Sequence, residues 1–250
     1  MEIIRNMPER EYRARRERSQ SDFKHFRLPT HAHAKYAMDQ ESEESDSMLN
    51  GSCFHALALE GKQIFSVDLS CKTQKNPKQD CDDIALSPHN AAIVRGMAEG
   101  VKRNKGIMLL LESAFEKEVS LFWDGMKARL DAVCPLGIID LKSTKGGDLW
   151  QFSKSMSDYG YAIQAAHYLE GAAKAGFPAE NFFIVAAENF PPFEAALYVV
   201  GHESIENGRL ELMELREKYF SCQKSGIYSG YSEEPVEINL PAYKFKERML

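Results

Sequence analysis

The sequence contains no C-x-x-C pair. Its five cysteines, Cys53, Cys71, Cys81, Cys134 and Cys222, are odd in number and scattered. This argues against a disulfide scaffold and against a zinc or iron–sulfur centre built from close cysteine pairs, so all five are expected as reduced thiols. No stretch approaches the roughly 20 apolar residues that span a bilayer. The segment from Met1 to Ser19 is charged from the outset and lacks the apolar run of a signal peptide. A cytoplasmic protein without membrane contact is therefore expected. An excess of positive charge is also lacking: the net charge is −6, which disfavours a protein that coats DNA through bulk charge.

The charge that is present is unevenly placed. Residues 1–35 hold nine Lys/Arg against five Asp/Glu, and the stretch from Asp39 to Ser47 is acidic and polar. A basic arm beside an acidic surface suits an enzyme that holds DNA locally in a channel. It suits a solvated helix of mixed charge equally well.

Hydrophobic patterning divides the chain into elements. A short extended piece and a charged helix are expected over 1–18, a short helix over 22–26 after Ser19-Gln20-Ser21-Asp22, and a helix over 31–38. A mobile acidic loop then leads to a compact apolar helix over 53–59. A strand-like run at 64–69 precedes a polar loop that continues to Asp83. Ser87-Pro88 opens a helix reaching about Lys102, and a second apolar helix covers 107–114. Strands are expected at 116–123 and 126–134, joined by the turn Asp124-Gly125, and at 138–143 after Pro135-Leu136-Gly137. One long helix, about 157–175, comes next, then strands at 182–187 and 195–200 and a helix at about 204–223. The order β-β-β-α-β-β indicates one α/β domain with a mixed central sheet flanked by helices. Within it, residues 1–50 form a helical, basic arm, 51–225 the core and 226–250 a surface tail.

The residues that point to chemistry are Asp131 and the run Asp140-Leu141-Lys142. Strand alternation puts Asp140 and Lys142 on one face, with Ile139 and Leu141 turned into the core. If Cys134 pairs with Gly137 in a hairpin, Asp131 falls opposite Asp140 and shares its face. Two carboxylates at that range repel unless a cation lies between them. The ion expected for an oxygen-rich site acting on phosphate is Mg²⁺ or Mn²⁺. Lys142 would orient or deprotonate water or stabilise the developing charge. The bland alternative is two solvated aspartates and a salt bridge, but the apolar neighbours place the strand in the interior, where unpaired charge is disfavoured.

Further runs fall in order along the chain: Ser19-Gln20-Ser21; Gly51 with His55 and Glu60; Glu118 with Trp123; Arg129-Leu130-Asp131; Asp140-Leu141-Lys142; and Gln164 with Tyr168. Together they resemble the PD-(D/E)xK nuclease superfamily, and within it the exonuclease VIII (RecE) C-terminal nuclease family of phage and prophage exonucleases. The resemblance covers residues 19 to about 200. It implies a restriction-endonuclease-like core, with His55, Asp131, Asp140 and the Leu141 carbonyl as metal ligands and Lys142 as the catalytic lysine. It also places the helix face of Gln164 and Tyr168 against the site, touching DNA or orienting Lys142. Aspartate at 140, where many superfamily members carry glutamate, agrees with the narrower family.

Taken by itself, His55 in an apolar helix is a core residue as readily as a ligand. Glu118 is either a partner supporting a ligand or a surface acid, and Arg129 meets either a phosphate or a carboxylate. Arg18, Ser19 and Ser21 either cradle the 5′-phosphate of a DNA end or cap a helix. Trp123 offers stacking on bases or simply core. Lys145-Gly146-Gly147 reads as a flexible stretch of no evident role. The resemblance implies a metal-dependent exodeoxyribonuclease that digests linear duplex DNA from an end, 5′ to 3′. A ring-shaped trimer or tetramer and a single-strand annealing partner in recombination accompany it. Two alternatives stand beside it: a restriction-like or RecB-like endonuclease with the same site, and a DNA-binding or assembly protein without catalysis.

Overall fold

The computed structural model describes residues 1–40, 45–77 and 84–241. Part of the expected acidic loop (41–44), part of the polar loop (78–83, with Cys81) and the end of the tail (242–250) lie outside the described residues. Among the described residues no helix is long and apolar enough to cross a membrane, and Cys71, Cys134 and Cys222 are free thiols.

The chain opens with strand β1 (Glu2–Arg5), helices α1 (Glu9–Ala14), α2 (Gln20–Lys24) and α3 (His31–Asp39), and then α4 (Asp46–Glu60). Helix α4 begins well before the expected Cys53. Ser45 caps it by accepting from the Met48 amide, and Gly61 ends it in the left-handed region (φ 68°). Asp46 and Ser47 are thus helical and not part of a loop. A two-stranded parallel sheet of β2 (Phe65–Val67) and β3 (Ile84–Leu86) follows. Helices α5 (Pro88–Arg103) and α6 (Lys105–Glu112) come next, α5 starting on the expected Ser87 cap with proline in its first turn.

The main sheet is built from β4 (Glu116–Trp123), β5 (Met126–Cys134) and β6 (Gly137–Thr144), then β7 (Asn181–Glu188) and β8 (Ala195–Val199). Its order is β1-β4-β5-β6-β7-β8. Only the β6–β7 pair is parallel, so the sheet is mixed, as the sequence indicates. Asp124 and Gly125 both have positive φ (45° and 76°), the geometry of the two-residue hairpin turn that Asp-Gly favours. Gly137 has φ 142°, and a Cβ there would meet the Asn181 carbonyl oxygen at 2.1 Å, so only glycine lets β7 approach.

The helix expected at 157–175 is α8 (Tyr161–Lys174), and an unexpected helix, α7 (Leu149–Asp158), precedes it, separated by Gly160 in the left-handed region (φ 63°). Phe152 is the one buried residue of α7, so no apolar stripe announces that helix in the sequence. Helix α9 (His202–Ser225) completes the fold.

Each face of the sheet carries its own core. Helices α8 and α9 cover Leu121, Leu130, Ile138 and Ile184 on one side. Helices α4, α5 and α6 cover Ala132, Ile139, Leu141 and Val185 on the other. Leu130 and Ala132 would share a face in an unbroken strand, yet they lie in opposite cores. The flip occurs at Asp131, opposite Glu118, where the β4–β5 ladder skips a pair. Glu118 has φ 50°, a conformation that costs a non-glycine residue on the order of 1 kcal/mol or more.

Close helix packing sets one stability prediction. A Cβ on Gly208 of α9 would lie 2.3 Å from the Ala162 carbonyl oxygen and 2.4 Å from its carbon. These are backbone atoms of α8 and cannot swing aside. Gly208→Ala is expected to destabilise by about 2–3 kcal/mol in urea unfolding. Gly51→Ala, where nothing lies within 4 Å, is expected to be neutral or stabilising by about 0.5–1 kcal/mol. Equal effects at the two positions would refute this packing account.

Candidate metal and phosphodiester site

The β5–β6 hairpin has the register Cys134 with Gly137, Val133 with Ile138 and Ala132 with Ile139, and the ladder then stops. The next position belongs to Asp131 and Asp140. There the strands part, and the Asp131 side chain takes over the bonding: its Oδ2 accepts from the Leu141 amide at 2.7 Å. Helix α4 brings His55 to the same spot. Its Nε2 donates to the Leu141 carbonyl at 3.1 Å, and its Nδ1 stands 3.5 Å from Asp131 Oδ2.

Glu118 is the third member. One ligand atom each of His55, Glu118 and Asp131 lie within 4.8 Å of one another. The backbone kink at Glu118 places it there, a feature no sequence pattern announces. Arg129 Nε donates to Glu118 Oε2 at 2.8 Å, and its Nη1 reaches Glu9 of α1 at 2.9 Å. Arg129 therefore meets carboxylates, one of the two partners expected for it.

Asp140 and Lys142 form the other half of the site. Asp140 is 2% exposed. Its Oδ1 accepts from Gln164 of α8 at 2.8 Å. Its Oδ2 lies 2.6 Å from Lys142 Nζ yet has no well-directed hydrogen bond. Lys142 Nζ also sits 5.2 Å from the centre of the Tyr161 ring. Helix α8 is locked to β5 by the buried His167. Its Nε2 donates to the Lys127 carbonyl (2.9 Å) and its Nδ1 accepts from Arg216 (2.8 Å). An arginine can only donate, so the ring is neutral, and burial holds it down at about 4.

A cleft of about 810 Å³ opens onto this site, lined by Ser19, Ser21, His55, Glu118, Arg129, Asp131 and Tyr168 among others. Asp140, Lys142 and Gln164 are not among its lining residues. Ser19 takes up the capping role as well: its amide and hydroxyl both donate to Asp22 Oδ2 (2.7 and 2.8 Å), and Ser21 Oγ lies 2.7 Å from Ser19 Oγ. Arg18 points away from the cleft, toward the Tyr219 ring at 5.6 Å and Asp22 at 3.8 Å. Trp123 is core, donating to Glu170 at 3.0 Å. Lys24 escapes sequence reading altogether. Burial and then the nearby Lys142 pull its ammonium down to about 8, and it bonds to the Tyr159 carbonyl at 2.8 Å.

The electrostatics are those of crowded carboxylates. Burial pushes Asp140 up, against the pull of Lys142, and Asp131 adds to the rise. Burial and Asp131 likewise raise Glu118. Burial disfavours charge on His55, but Asp131 outweighs it and holds the imidazole up at about 9. Burial would raise Asp131 as well, and His55 and Lys142 nevertheless hold it below the usual carboxylate range. Burial works to lower Lys142, and Asp140 and Asp131 outweigh it. Without an ion, a protonated His55 bridges Asp131 and the Leu141 carbonyl; a divalent cation at the same point takes the place of that proton and binds the neutral imidazole.

These groups fit a hard divalent cation. Carboxylates, a carbonyl and one imidazole suit Mg²⁺ or Mn²⁺ better than a soft metal. His55, Glu118 and Asp131 each present a ligand atom within 4.8 Å of the others, and crowded carboxylates of this kind are relieved by a cation between them.

A family model described as a PDDEXK-like domain of unknown function (DUF3799) matches residues 19–238. No curated protein matches the sequence. Among solved structures, an exonuclease candidate from Eubacterium rectale shares the fold with a TM-score of 0.63. It is 17% identical, and the match covers 93% of this chain and 96% of that one.

Proposed function

This chain belongs to the PDDEXK-like family whose model it matches, and from that premise we propose that it is a divalent-metal-dependent exodeoxyribonuclease. Its substrate in this reading is linear double-stranded DNA, hydrolysed from an end, 5′ to 3′. The observation that carries it is the parting of β5 and β6. There Asp131 and His55 bond the Leu141 backbone beside Glu118, and Asp140 pairs with Lys142 on either side of Leu141.

His55, Asp131, Asp140 and the Leu141 carbonyl are the proposed ligands. Glu118 joins them as a direct ligand, beyond the supporting part expected for it, because its carboxylate falls inside the cluster. When bound, Mg²⁺ or Mn²⁺ supplies Lewis acidity, lowering the pKa of water and neutralising charge on the attacked phosphate. Lys142 directs its ammonium at the nucleophile or at the charge that develops on phosphate. Gln164 fixes the Asp140 carboxylate, and Arg129 fixes Glu118. Tyr168, Ser19 and Ser21 face the cleft and are the proposed contacts to the DNA backbone. Arg18 contributes only by a change of rotamer.

The resemblance to exonuclease VIII supports the remaining parts of the reading. These are a ring-shaped homo-oligomer, trimer or tetramer, around the duplex and a 3′ single strand left for an annealing protein in phage-type recombination. The test is digestion of 5′- and 3′-end-labelled linear duplex beside a covalently closed circle, with Mg²⁺, Mn²⁺ or EDTA. The expected result is metal-dependent loss of label from linear DNA, beginning at the 5′ end, with the circle intact. Cutting of the circle would indicate a restriction-like or RecB-like endonuclease. Binding without cleavage under either metal would indicate a DNA-binding protein that keeps the fold alone.

A further inference from the structure

The loop that leaves β6 carries exposed groups with no part in the site. Leu149 and Trp150 begin α7 at 72% and 76% exposure. Lys145, also exposed, makes no ion pair among the described residues. Single exposed apolar residues are ordinary. What distinguishes this group is an aromatic and an unpaired cation on a backbone that is tied down just beyond Lys142.

The stretch Lys145-Gly146-Gly147, which reads as flexible in the sequence, is firmly tied. The Gly146 amide donates to Thr144 Oγ1 (3.2 Å), and that hydroxyl donates to the Gly146 carbonyl (3.0 Å). The Gly147 amide donates to Glu188 (3.0 Å) and its carbonyl accepts from the Tyr198 hydroxyl (2.5 Å). Asp148 then caps α7, accepting from the Trp150 and Gln151 amides at 3.1 Å each. Within α7 the Phe152 ring stacks on Tyr198 (5.2 Å) and lies 6.0 Å from Tyr161, the ring beside Lys142. One helical turn and one ring pair therefore fix the backbone at Trp150 relative to Lys142.

We propose that Trp150 and Lys145 form a stacking platform for an exposed nucleobase face of the DNA substrate, the indole meeting the base and the ammonium its phosphate. This rests on the nuclease reading and extends it. A rigid aromatic loses little entropy on stacking, and such a contact is worth about 5- to 150-fold in affinity per base. The unpaired Lys145 favours a polyanion over a second copy of this chain. The exposed face could belong to an unpaired base or to the terminal pair of a duplex end.

The sequence contains two tryptophans. Trp123 is buried and hydrogen-bonded, so quenching of intrinsic fluorescence by DNA reports Trp150. The full-length protein in EDTA, where nothing is cut, is titrated with single-stranded oligothymidylate and with a blunt-ended hairpin duplex. Affinities are taken from the anisotropy of labelled DNA. Quenching of the wild type is expected with at least one DNA, and which DNA quenches identifies the source of the base face. Trp150→Ala is expected to bind that DNA about 10-fold more weakly, and Trp150→Phe to restore most of the loss without restoring the signal.

Binding without quenching, or equal affinity in wild type and Trp150→Ala, overturns the platform. So does failure of either DNA to bind. Quenching that follows protein concentration without DNA also overturns it, and makes the patch a contact between copies. Cleavage of linear duplex by the same preparation in Mg²⁺ separates the two readings. If cutting persists, only the platform has failed; if it is absent, the nuclease reading has failed as well.

Discussion

Lys142→Ala is expected to slow metal-dependent cleavage of linear duplex DNA about 10³-fold while the protein stays folded. Loss of one preorganised donor to developing charge costs roughly 10²- to 10³-fold, and loss of a proton-transfer group up to about 10⁴-fold. The ammonium is held at 2.6 Å from Asp140 Oδ2 and against the Tyr161 ring, so no neighbouring lysine can take its place. Lys24, the nearest cationic candidate, is committed to the Tyr159 carbonyl. Removing a buried cation normally strands its partner. Here Asp140 already has its carboxyl raised by burial, so it can protonate instead, and the fold loses less than the chemistry. Lys142→Arg is expected to restore little, because a planar guanidinium cannot place one charge where the ammonium sits. Single-turnover rates with saturating metal, beside circular dichroism, check this. A rate within tenfold of wild type would remove Lys142 from the mechanism.

Asp131→Asn should be comparably severe and should separate metal binding from folding. The asparagine keeps an oxygen for the Leu141 amide, so the hydrogen bond at 2.7 Å survives. The charge does not, and with it goes the partner of His55. In the wild type, divalent ion at 100 times its Kd is expected to add about 2.7 kcal/mol of stability. For a chain of this size that raises the Tm by roughly 5–10 °C. In Asp131→Asn the rise is expected to vanish, with cleavage down about 10³-fold. A melting curve that moves as far with Mn²⁺ as the wild type does would show that the ion binds elsewhere.

Local signals carried much of the architecture. The strands at 116–123 and 126–134 have the bounds read from their alternation, because Asp124-Gly125 punctuates them. The register Cys134 with Gly137 followed from Pro135-Leu136 as the turn. Features that depend on distant partners were not visible. Strand β1 pairs with β4 more than a hundred residues away. Strand β3 is three residues long and has meaning only beside β2. Helix α7 buries a single residue, Phe152, and left no apolar pattern to read.

The same division holds at the site. Asp131 and Asp140 fall at facing positions, as strand counting suggests. Counting alone could not show that the ladder ends there, or that Asp131 bonds the Leu141 amide in its place. Glu118 enters the cluster through a positive φ, which residue type did not disclose. Arg18 turns away because Tyr219 and Asp22 attract it, and Trp150 stays exposed because the turn before it is tied down.

The most direct measurement is anomalous scattering from crystals soaked in Mn²⁺. A peak within bonding distance of Asp131, Asp140 and the Leu141 carbonyl oxygen, with His55 or Glu118 beside it, is the predicted result. A crystal saturated with Mn²⁺ that shows no density there, from protein that still cleaves DNA, would contradict it.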